Sequence, residues 1–227
     1  MIQALVFDLD DTLFLESDFV TSGYRAVARQ VAKQYGCCLR DVFQTMMSVL
    51  ATHGREFVFP IIIRRFLGDR IALSELVDIY RGHTPRIRLF PGYGDLLKKL
   101  GKTYKLGIIT DGLPEVQKRK VHSLGLEHKV DRIIYTWEYG IEKRKPHPQS
   151  FTLMMDYLKT QPRTTLYVGD NPEKDCQGAH AAGMRCAQVV APSVVERKSE
   201  PSSADKADYV LDSLFQLPRI LQATEAI

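Results

Sequence analysis

Three carboxylates follow the first apolar run of the chain in close succession. In the segment VFDLDDTLF, from Val6 to Phe14, the acids are Asp8, Asp10 and Asp11. Carboxylates crowded at the end of a buried strand repel one another and are costly to remove from water. The spacing therefore predicts either a solvated turn or a site that receives a cation.

Two later apolar runs also end in polar residues. The run YKLGII is followed by TDG, and the run TLYV is followed by GDN. If these strands are parallel, their carboxyl ends lie at one edge of a sheet, where open α/β sheets bind ligands. Asp8, Asp10 and Asp170 could then share a hard divalent cation. Each loop taken alone is equally well explained as a turn or a helix cap, and only the joint pattern favours a site.

Apolar runs alternate with helical patterns along most of the chain. Their continuous hydrophobicity is typical of strands that are covered on both faces. Proline and glycine residues mark the starts and ends of the intervening helices. The alternation predicts an α/β protein with a doubly wound parallel sheet. The runs are Ile2–Phe7, Tyr104–Ile109, Arg132–Tyr135, Thr165–Val168 and Cys186–Val190, with a weaker edge strand at Ala207–Leu211.

Residues 17–88 interrupt this alternation, because they contain helical patterns and no convincing strand. A helical stretch of this length after the first strand is typical of an inserted module. We therefore expect a core domain formed by residues 1–16 and 89–227, and a helical domain formed by residues 17–88. Pro60 is expected in the first turn of a helix, where its missing N–H costs little. The predicted helices of the insertion are Asp18–Tyr35, Leu39–Leu50, Pro60–Leu67 and Ser74–Tyr80.

The composition excludes several classes of protein. Of 227 residues, 44% are hydrophobic and 26% are charged, which is ordinary for a globular chain. The net charge is +4, and the basic residues are scattered along the sequence, so we expect no nucleic-acid partner. No apolar stretch approaches the ~18 residues of a membrane span, so we expect no membrane partner. The cysteines form no C-x-x-C pair, and reduced thiols in a cytoplasmic protein are expected.

The polar loops resemble, in order, the four motifs of the haloacid dehalogenase superfamily. DLDDT matches the D-x-D-x-T signature of that family, and IITDG, KRKPHPQSF and GDNPEKD match its later motifs. The resemblance extends over essentially the whole chain. It implies a Rossmann-like core with a helical cap inserted after the first strand, and Mg²⁺ as the cofactor.

The resemblance also implies a role for each motif residue. Asp8 would attack phosphorus and form an aspartyl-phosphate. Asp10 would protonate the leaving oxygen and then accept a proton from water. Mg²⁺ would be held by Asp8, the backbone carbonyl of Asp10, and Asp170, while Thr110 and Lys145 would bind phosphoryl oxygens. The residues expected to support these groups are Thr12, Gly112, Asn171 and Asp175.

Asp111 departs from the family pattern, which often has Asn at this position. We count it with the phosphate-binding loop, although a carboxylate that faced a phosphate would be unfavourable. We therefore expect its side chain to point away from the phosphate or to cap the helix that is entered at Pro114.

Asp10 distinguishes between reactions of the family. Relatives that displace halide or cleave phosphonates lack a carboxylate there, so the sequence favours hydrolysis of a phosphoester. The resemblance implies that the substrate is a small phosphorylated metabolite, a nucleotide or sugar phosphate. We expect a monomer or homodimer. A phosphomutase would also have this Asp, and a non-catalytic binding module is a second alternative, which the presence of Asp8, Asp10 and Lys145 argues against. Substrate choice is expected in the cap, where the polar candidates are His53, Arg55, Glu56, Arg64 and Arg65.

Overall fold

The structure, a computed structural model, describes residues 1–190 and 206–225, the last three of these as backbone only. The pattern of internal contacts divides the chain into two compact units. The core unit consists of Met1–Glu16 and Arg88–Ile227, and the helical unit consists of Ser17–Ile87.

The helical unit is built around its own apolar core. One face of its first helix contributes Val20, Tyr24 and Val27, which pack among buried residues such as Met46 and Leu76. Spacing of three or four residues is what places side chains on one face of a helix. The helices are α1 (Glu16–Tyr35), α2 (Leu39–His53), α3 (Arg55–Ile62) and α4 (Leu73–Gly82).

Pro60 lies inside α3, so the prediction that it stands in a first turn is wrong. Gly54, with a φ of 95°, separates α2 from α3, and α3 therefore begins well before the proline. Proline has no N–H to donate and crowds the preceding turn of a helix. The α-helical hydrogen bonding ends at Ile62, and a π-helical turn follows at Ile63–Leu67.

A parallel sheet forms the centre of the core unit, as the sequence predicted. Among the described residues the sheet has six strands, and all of the predicted strands, including the weak one at the edge, are confirmed. The strands are β1 (Ala4–Phe7), β2 (Lys105–Thr110), β3 (Arg132–Tyr135), β4 (Thr165–Gly169), β5 (Arg185–Val189) and β6 (Tyr209–Leu211). Their order across the sheet is β3-β2-β1-β4-β5-β6.

The strand β1 occupies the point where the order of the sheet reverses. The chain proceeds outward from β1 through β2 to β3 and then returns to β4 on the other side of β1. Phe7 is paired in register with Ile108 of β2 and with Val168 of β4. The crevice beside such a switch point, outside the carboxyl ends of the strands, is where doubly wound sheets bind ligands.

The helices of the core unit cover the sheet with apolar side chains. Phe151 and Met154, for example, pack with Val6 and Ile109 in the central core cluster. No helix among the described residues is both long and apolar enough to cross a membrane. The helices are α5 (Tyr93–Leu100), α6 (Pro114–Ser123), α7 (Gln149–Leu158), α8 (Asp175–Ala181) and α9 (Leu217–Glu225).

Two of the cysteines form a disulfide, Cys176 in α8 with Cys186 in β5. The expectation of reduced thiols is therefore wrong for this pair. The fold brings α8 and β5 side by side and places the two Cα atoms 5.2 Å apart, within the range that a disulfide requires. Cys37 and Cys38 are free, as expected.

The close packing of α8 gives a first prediction. A Cβ added at Gly178 would overlap the ring of Phe151 and lie 3.0 Å from the carbonyl oxygen of Pro146. Because these groups are tightly packed, Gly178→Ala should lower the free energy of unfolding by about 1–3 kcal/mol. The measurement is equilibrium denaturation.

The matched control is Gly94→Ala in α5, where an added Cβ meets only Leu89 Cδ1, at 3.7 Å. The stability of this variant should lie within about 0.5 kcal/mol of that of the natural chain, because the added Cβ makes only an ordinary van der Waals contact. Equal stability of the two variants would contradict the packing described for α8.

Candidate functional site

A cavity of about 310 Å³ lies at the carboxyl end of the sheet. Asp8 follows β1 directly and Asp170 follows β4 directly, so the parallel register brings them to the same edge. Three predicted residues, Thr12, Thr110 and Gly112, are absent from the lining of this cavity. The predicted residues that line it are Asp8, Asp10, Asp111, Lys145, Asp170, Asn171 and Asp175.

Lys145 is a buried cation that contacts two carboxylates of this site. Its Nζ lies 2.5 Å from Asp8 Oδ1 and 2.7 Å from Asp175 Oδ1. It also donates to the hydroxyl of Tyr167, at 3.2 Å, and that hydroxyl lies 3.1 Å from Asp175 Oδ1. Asp175 Oδ2 accepts the backbone N–H of Asn171. Both oxygens of Asp175 are therefore engaged in holding Lys145 and the loop after β4.

Burial and neighbouring charges shift the protonation of this cluster. Burial raises the pKa of Asp8 well above its usual value; Lys145 opposes this shift, and the carboxylates of Asp175, Asp170 and Asp10 add to it. Burial lowers the pKa of Lys145, but Asp175 and Asp8 outweigh it and leave that pKa well above its usual value. Lys145 is therefore cationic and pairs with both Asp8 and Asp175.

Three of the carboxylates are arranged so that they could hold a metal ion. One oxygen from each of Asp8, Asp170 and Asp175 lies within 4.8 Å of the others. Oxygen ligands of this type are those that Mg²⁺ prefers, so the donor set fits the cofactor expected from the sequence. The side chain of Asp10 does not belong to this cluster, whereas Asp175, which was expected only to support the site, does.

Asp11 has a local structural role. It lies in the left-handed region, with a φ of 54°, which Asp tolerates better than most residues. Its Oδ1 accepts the backbone N–H of Glu16 at 2.9 Å, at the first residue of α1. Asp11 therefore accepts a hydrogen bond from one of the backbone N–H groups in the first turn of α1, which have no acceptor within the helix.

Asp10 is bound by two residues that the sequence analysis missed. Lys120 Nζ lies 2.6 Å from Asp10 Oδ1, and Gln117 Nε2 lies 2.8 Å from Asp10 Oδ2. Both partners are buried and are spaced three residues apart on α6. Helical periodicity could have found them, since it places Gln117 and Lys120 on the same face as the buried Val121 and Leu124.

Gln117 also reaches the loop after β2. Its Nε2 lies 2.8 Å from Thr110 Oγ1 and donates to the backbone carbonyl oxygen of Asp111. Thr110 is fully buried, so its hydroxyl is directed at this amide. Gly112 has a φ of 128° and a Cβ there would lie 3.3 Å from Gln117 Nε2, which explains why a glycine suits this turn.

The side chain of Asp111 is directed at protein donors. Its Oδ1 accepts the hydroxyl of Thr136 at 2.6 Å and the backbone N–H of Lys145 at 3.2 Å. The expected alternative, that it caps the helix entered at Pro114, is wrong, because α6 has Leu113 as its N-cap and no capping side chain. Asp111 instead ties the end of β2 to the segment that carries Lys145.

The other predicted residues fall outside this network. Thr12 is fully buried, and its hydroxyl has no hydrogen-bond partner among the described residues. The five polar candidates of the helical unit are all exposed. Exposure alone does not distinguish a residue that contacts a ligand from one that only faces solvent. These candidates are His53, Arg55, Glu56, Arg64 and Arg65.

Several known proteins resemble this chain in sequence or in fold. The sequence profile of the haloacid dehalogenase-like hydrolases matches residues 5–189. Glyceraldehyde 3-phosphate phosphatase of Methanocaldococcus jannaschii is 27% identical over 98% of this chain and 98% of its own. Phosphoserine phosphatase of Thermus thermophilus is 30% identical over 60% of this chain and 54% of its own. The 2-haloacid dehalogenase of Pseudomonas syringae has the same fold, with a TM-score of 0.68 and 24% identity over 99% of this chain and 100% of its own.

Removal of the buried cation gives a second prediction. Lys145→Met leaves Asp8 and Asp175 without their ammonium partner, and loss of one member of a buried pair costs about 3–5 kcal/mol. We expect this loss in the free energy of unfolding, measured by urea denaturation with EDTA present. Arg144→Met is the control, because Arg144 is adjacent and exposed. If both variants unfold at the same urea concentration, the ion pairs do not form as described.

Proposed function

This chain belongs to the haloacid dehalogenase-like hydrolases, and we propose that it is a magnesium-dependent phosphatase that acts on small phosphomonoesters through an aspartyl-phosphate at Asp8. The single observation that carries this proposal is the buried contact of Asp8 with Lys145, beside the carboxylate of Asp170. A carboxylate attacks a phosphate dianion only where positive charge offsets their repulsion.

Asp8 is oriented for nucleophilic attack. Its Oδ1 is held by Lys145, while its Oδ2 accepts no hydrogen bond from the described residues. One carboxylate oxygen thus contacts a cation, and the carboxyl group lines the cavity that a phosphate would enter. The ammonium of Lys145 would also attract the phosphoryl oxygens, because the transition state of phosphoryl transfer gains mainly from such charge stabilisation.

Two displacements complete the reaction. In the first, an oxygen of Asp8 forms a bond to phosphorus, the bond from phosphorus to the substrate oxygen breaks, and that oxygen takes a proton from the carboxyl of Asp10. In the second, water attacks the same phosphorus and gives a proton to Asp10. The bond from phosphorus to Asp8 breaks, and phosphate leaves with Asp8 restored.

Asp8 and Asp170 would hold Mg²⁺, with the backbone carbonyl of Asp10. A bound divalent cation would supply charge neutralisation between the nucleophile and the phosphoryl oxygens. Asp175, whose two oxygens already bind Lys145, Tyr167 and the N–H of Asn171, would act as the support of Lys145. The oxygen-only donor set supports a metal site here, and the backbone carbonyl of Asp10 is the ligand that the family resemblance implies.

The relatives support a substrate with an alcohol leaving group. The names of two of them specify glyceraldehyde 3-phosphate and phosphoserine, which are both small alkyl phosphomonoesters. An alkoxide is a poor leaving group, so such substrates need the proton that Asp10 would donate. We propose that the helical unit Ser17–Ile87 acts as the cap that selects among these metabolites.

A panel of phosphomonoesters tests the activity. The natural chain should release phosphate selectively from members of a panel that contains glyceraldehyde 3-phosphate, phosphoserine, sugar phosphates and nucleoside monophosphates, with Mg²⁺ and not with EDTA. Asp8→Asn should lower the rate by at least about 10³-fold, as removal of a nucleophile does. The exposed Asp156→Asn in α7 is the control.

Other outcomes of the panel would favour the alternatives. Transfer of phosphate between positions of a sugar without its release would identify a phosphomutase. Folded protein that binds Mg²⁺ and turns over no member of the panel would favour a non-catalytic binding module. A near-normal rate for Asp8→Asn would exclude this residue as the nucleophile.

The metal site predicts a stability effect that does not depend on turnover. Mg²⁺ should raise the melting temperature, because a ligand at roughly 100 times its Kd stabilises the folded state by about 2.7 kcal/mol. Asp170→Asn should abolish this shift, and Asp156→Asn should retain it. The measurement is thermal unfolding with increasing MgCl₂. An undiminished shift in Asp170→Asn would place the metal elsewhere.

A further inference from the structure

We propose that Lys120 and Gln117 are positioning residues that hold the carboxyl group of Asp10 in a single orientation for proton transfer. This inference rests on the proposed function, in which Asp10 moves the proton. It adds α6 to the elements that build the site, although no residue of α6 lines the cavity.

Both oxygens of Asp10 are held from the same helix. Oδ1 lies 2.6 Å from Lys120 Nζ and Oδ2 lies 2.8 Å from Gln117 Nε2. The carboxyl group cannot rotate without breaking one of these contacts. The side chain of Asp10 nevertheless remains 24% exposed and lines the cavity. One side of the group is therefore clamped while another stays accessible to substrate.

The burial of Lys120 indicates that the contact is specific. Its side chain is 5% exposed, whereas its neighbours Lys118 and Arg119 are exposed. A lysine can usually extend its ammonium group to water, and burial of that group is costly unless it is paired. Lys120 instead passes the ring of Phe14, with Nζ 5.8 Å from the ring centroid, and directs its charge at Asp10.

Gln117 connects the proton-transfer residue to the phosphate-binding loop. The amide nitrogen that binds Asp10 also lies 2.8 Å from Thr110 Oγ1 and donates to the backbone carbonyl of Asp111. Gln117 therefore fixes the position of Asp10 relative to the end of β2. A reacting group displaced by about 1 Å can lose about 10²-fold in rate, so this shared amide is well placed to affect catalysis.

The test compares two leaving groups. Nitrophenyl phosphate carries a good leaving group that needs little protonation, whereas the best alkyl substrate of the panel needs a full proton. Lys120→Met should lower kcat for the alkyl phosphate by about 10- to 10²-fold, change its KM little, and lower kcat for nitrophenyl phosphate by less than about 3-fold. Gln117→Leu should show the same pattern.

The controls separate positioning from folding. Lys120→Arg retains a cationic donor and should recover part of the lost rate. Lys118→Met, which removes an exposed charge on the same helix, should behave as the natural chain. Circular dichroism and melting temperature verify that each variant is folded. If Lys120→Met does not fold, Lys120→Arg and Gln117→Leu permit the same comparison of leaving groups.

A double variant gives the decisive outcome. Because Lys120 is proposed to act through Asp10, Asp10→Asn combined with Lys120→Met should be no slower than Asp10→Asn alone. Losses that multiply, or an equal loss on both leaving groups, would overturn the positioning role and leave the phosphatase assignment intact. A natural chain that hydrolyses no phosphomonoester would overturn both.

Discussion

The ammonium group of Lys145 binds two carboxylates that come from distant parts of the chain. Asp8 follows β1, Asp175 begins α8, and both contact Nζ in a buried environment. Low dielectric strengthens such contacts and makes their loss costly. Asp170 offers a third carboxylate oxygen, within 4.8 Å of oxygens of Asp8 and Asp175. A divalent metal ion would bind at such oxygens, and a phosphoryl group that entered the cavity would meet Lys145.

The parallel sheet makes this arrangement possible. β1 lies between β2 and β4, so the residues that follow these three strands meet at one edge. Asp111 fastens the segment that carries Lys145 to the end of β2, and Gln117 fastens Asp10 to the same strand end through Thr110. Nucleophile, cation and proton-transfer group would thus be held by rigid elements, which is the arrangement that catalysis requires.

The sheet and the acidic cluster could be predicted because their signals are local. Apolar runs mark buried strands, and polar residues directly after parallel strands must meet at one edge. Contacts that depend on packing between elements were harder to predict from the sequence. Helical periodicity could place Lys120 on the buried face of α6, but its contact with Asp10 depends on where that helix packs. The pairing of Cys176 with Cys186 likewise depends on α8 and β5 becoming neighbours.

The role proposed for Asp8 is tested most directly by trapping the covalent intermediate. Enzyme that is turning over its best substrate is quenched in acid, reduced with borohydride and digested for peptide mass spectrometry. An aspartyl-phosphate would be reduced to homoserine, and we expect this residue at position 8 only, and only when substrate was present. Active enzyme that yields no homoserine, or yields it at another aspartate, would contradict the assignment of Asp8 as the nucleophile.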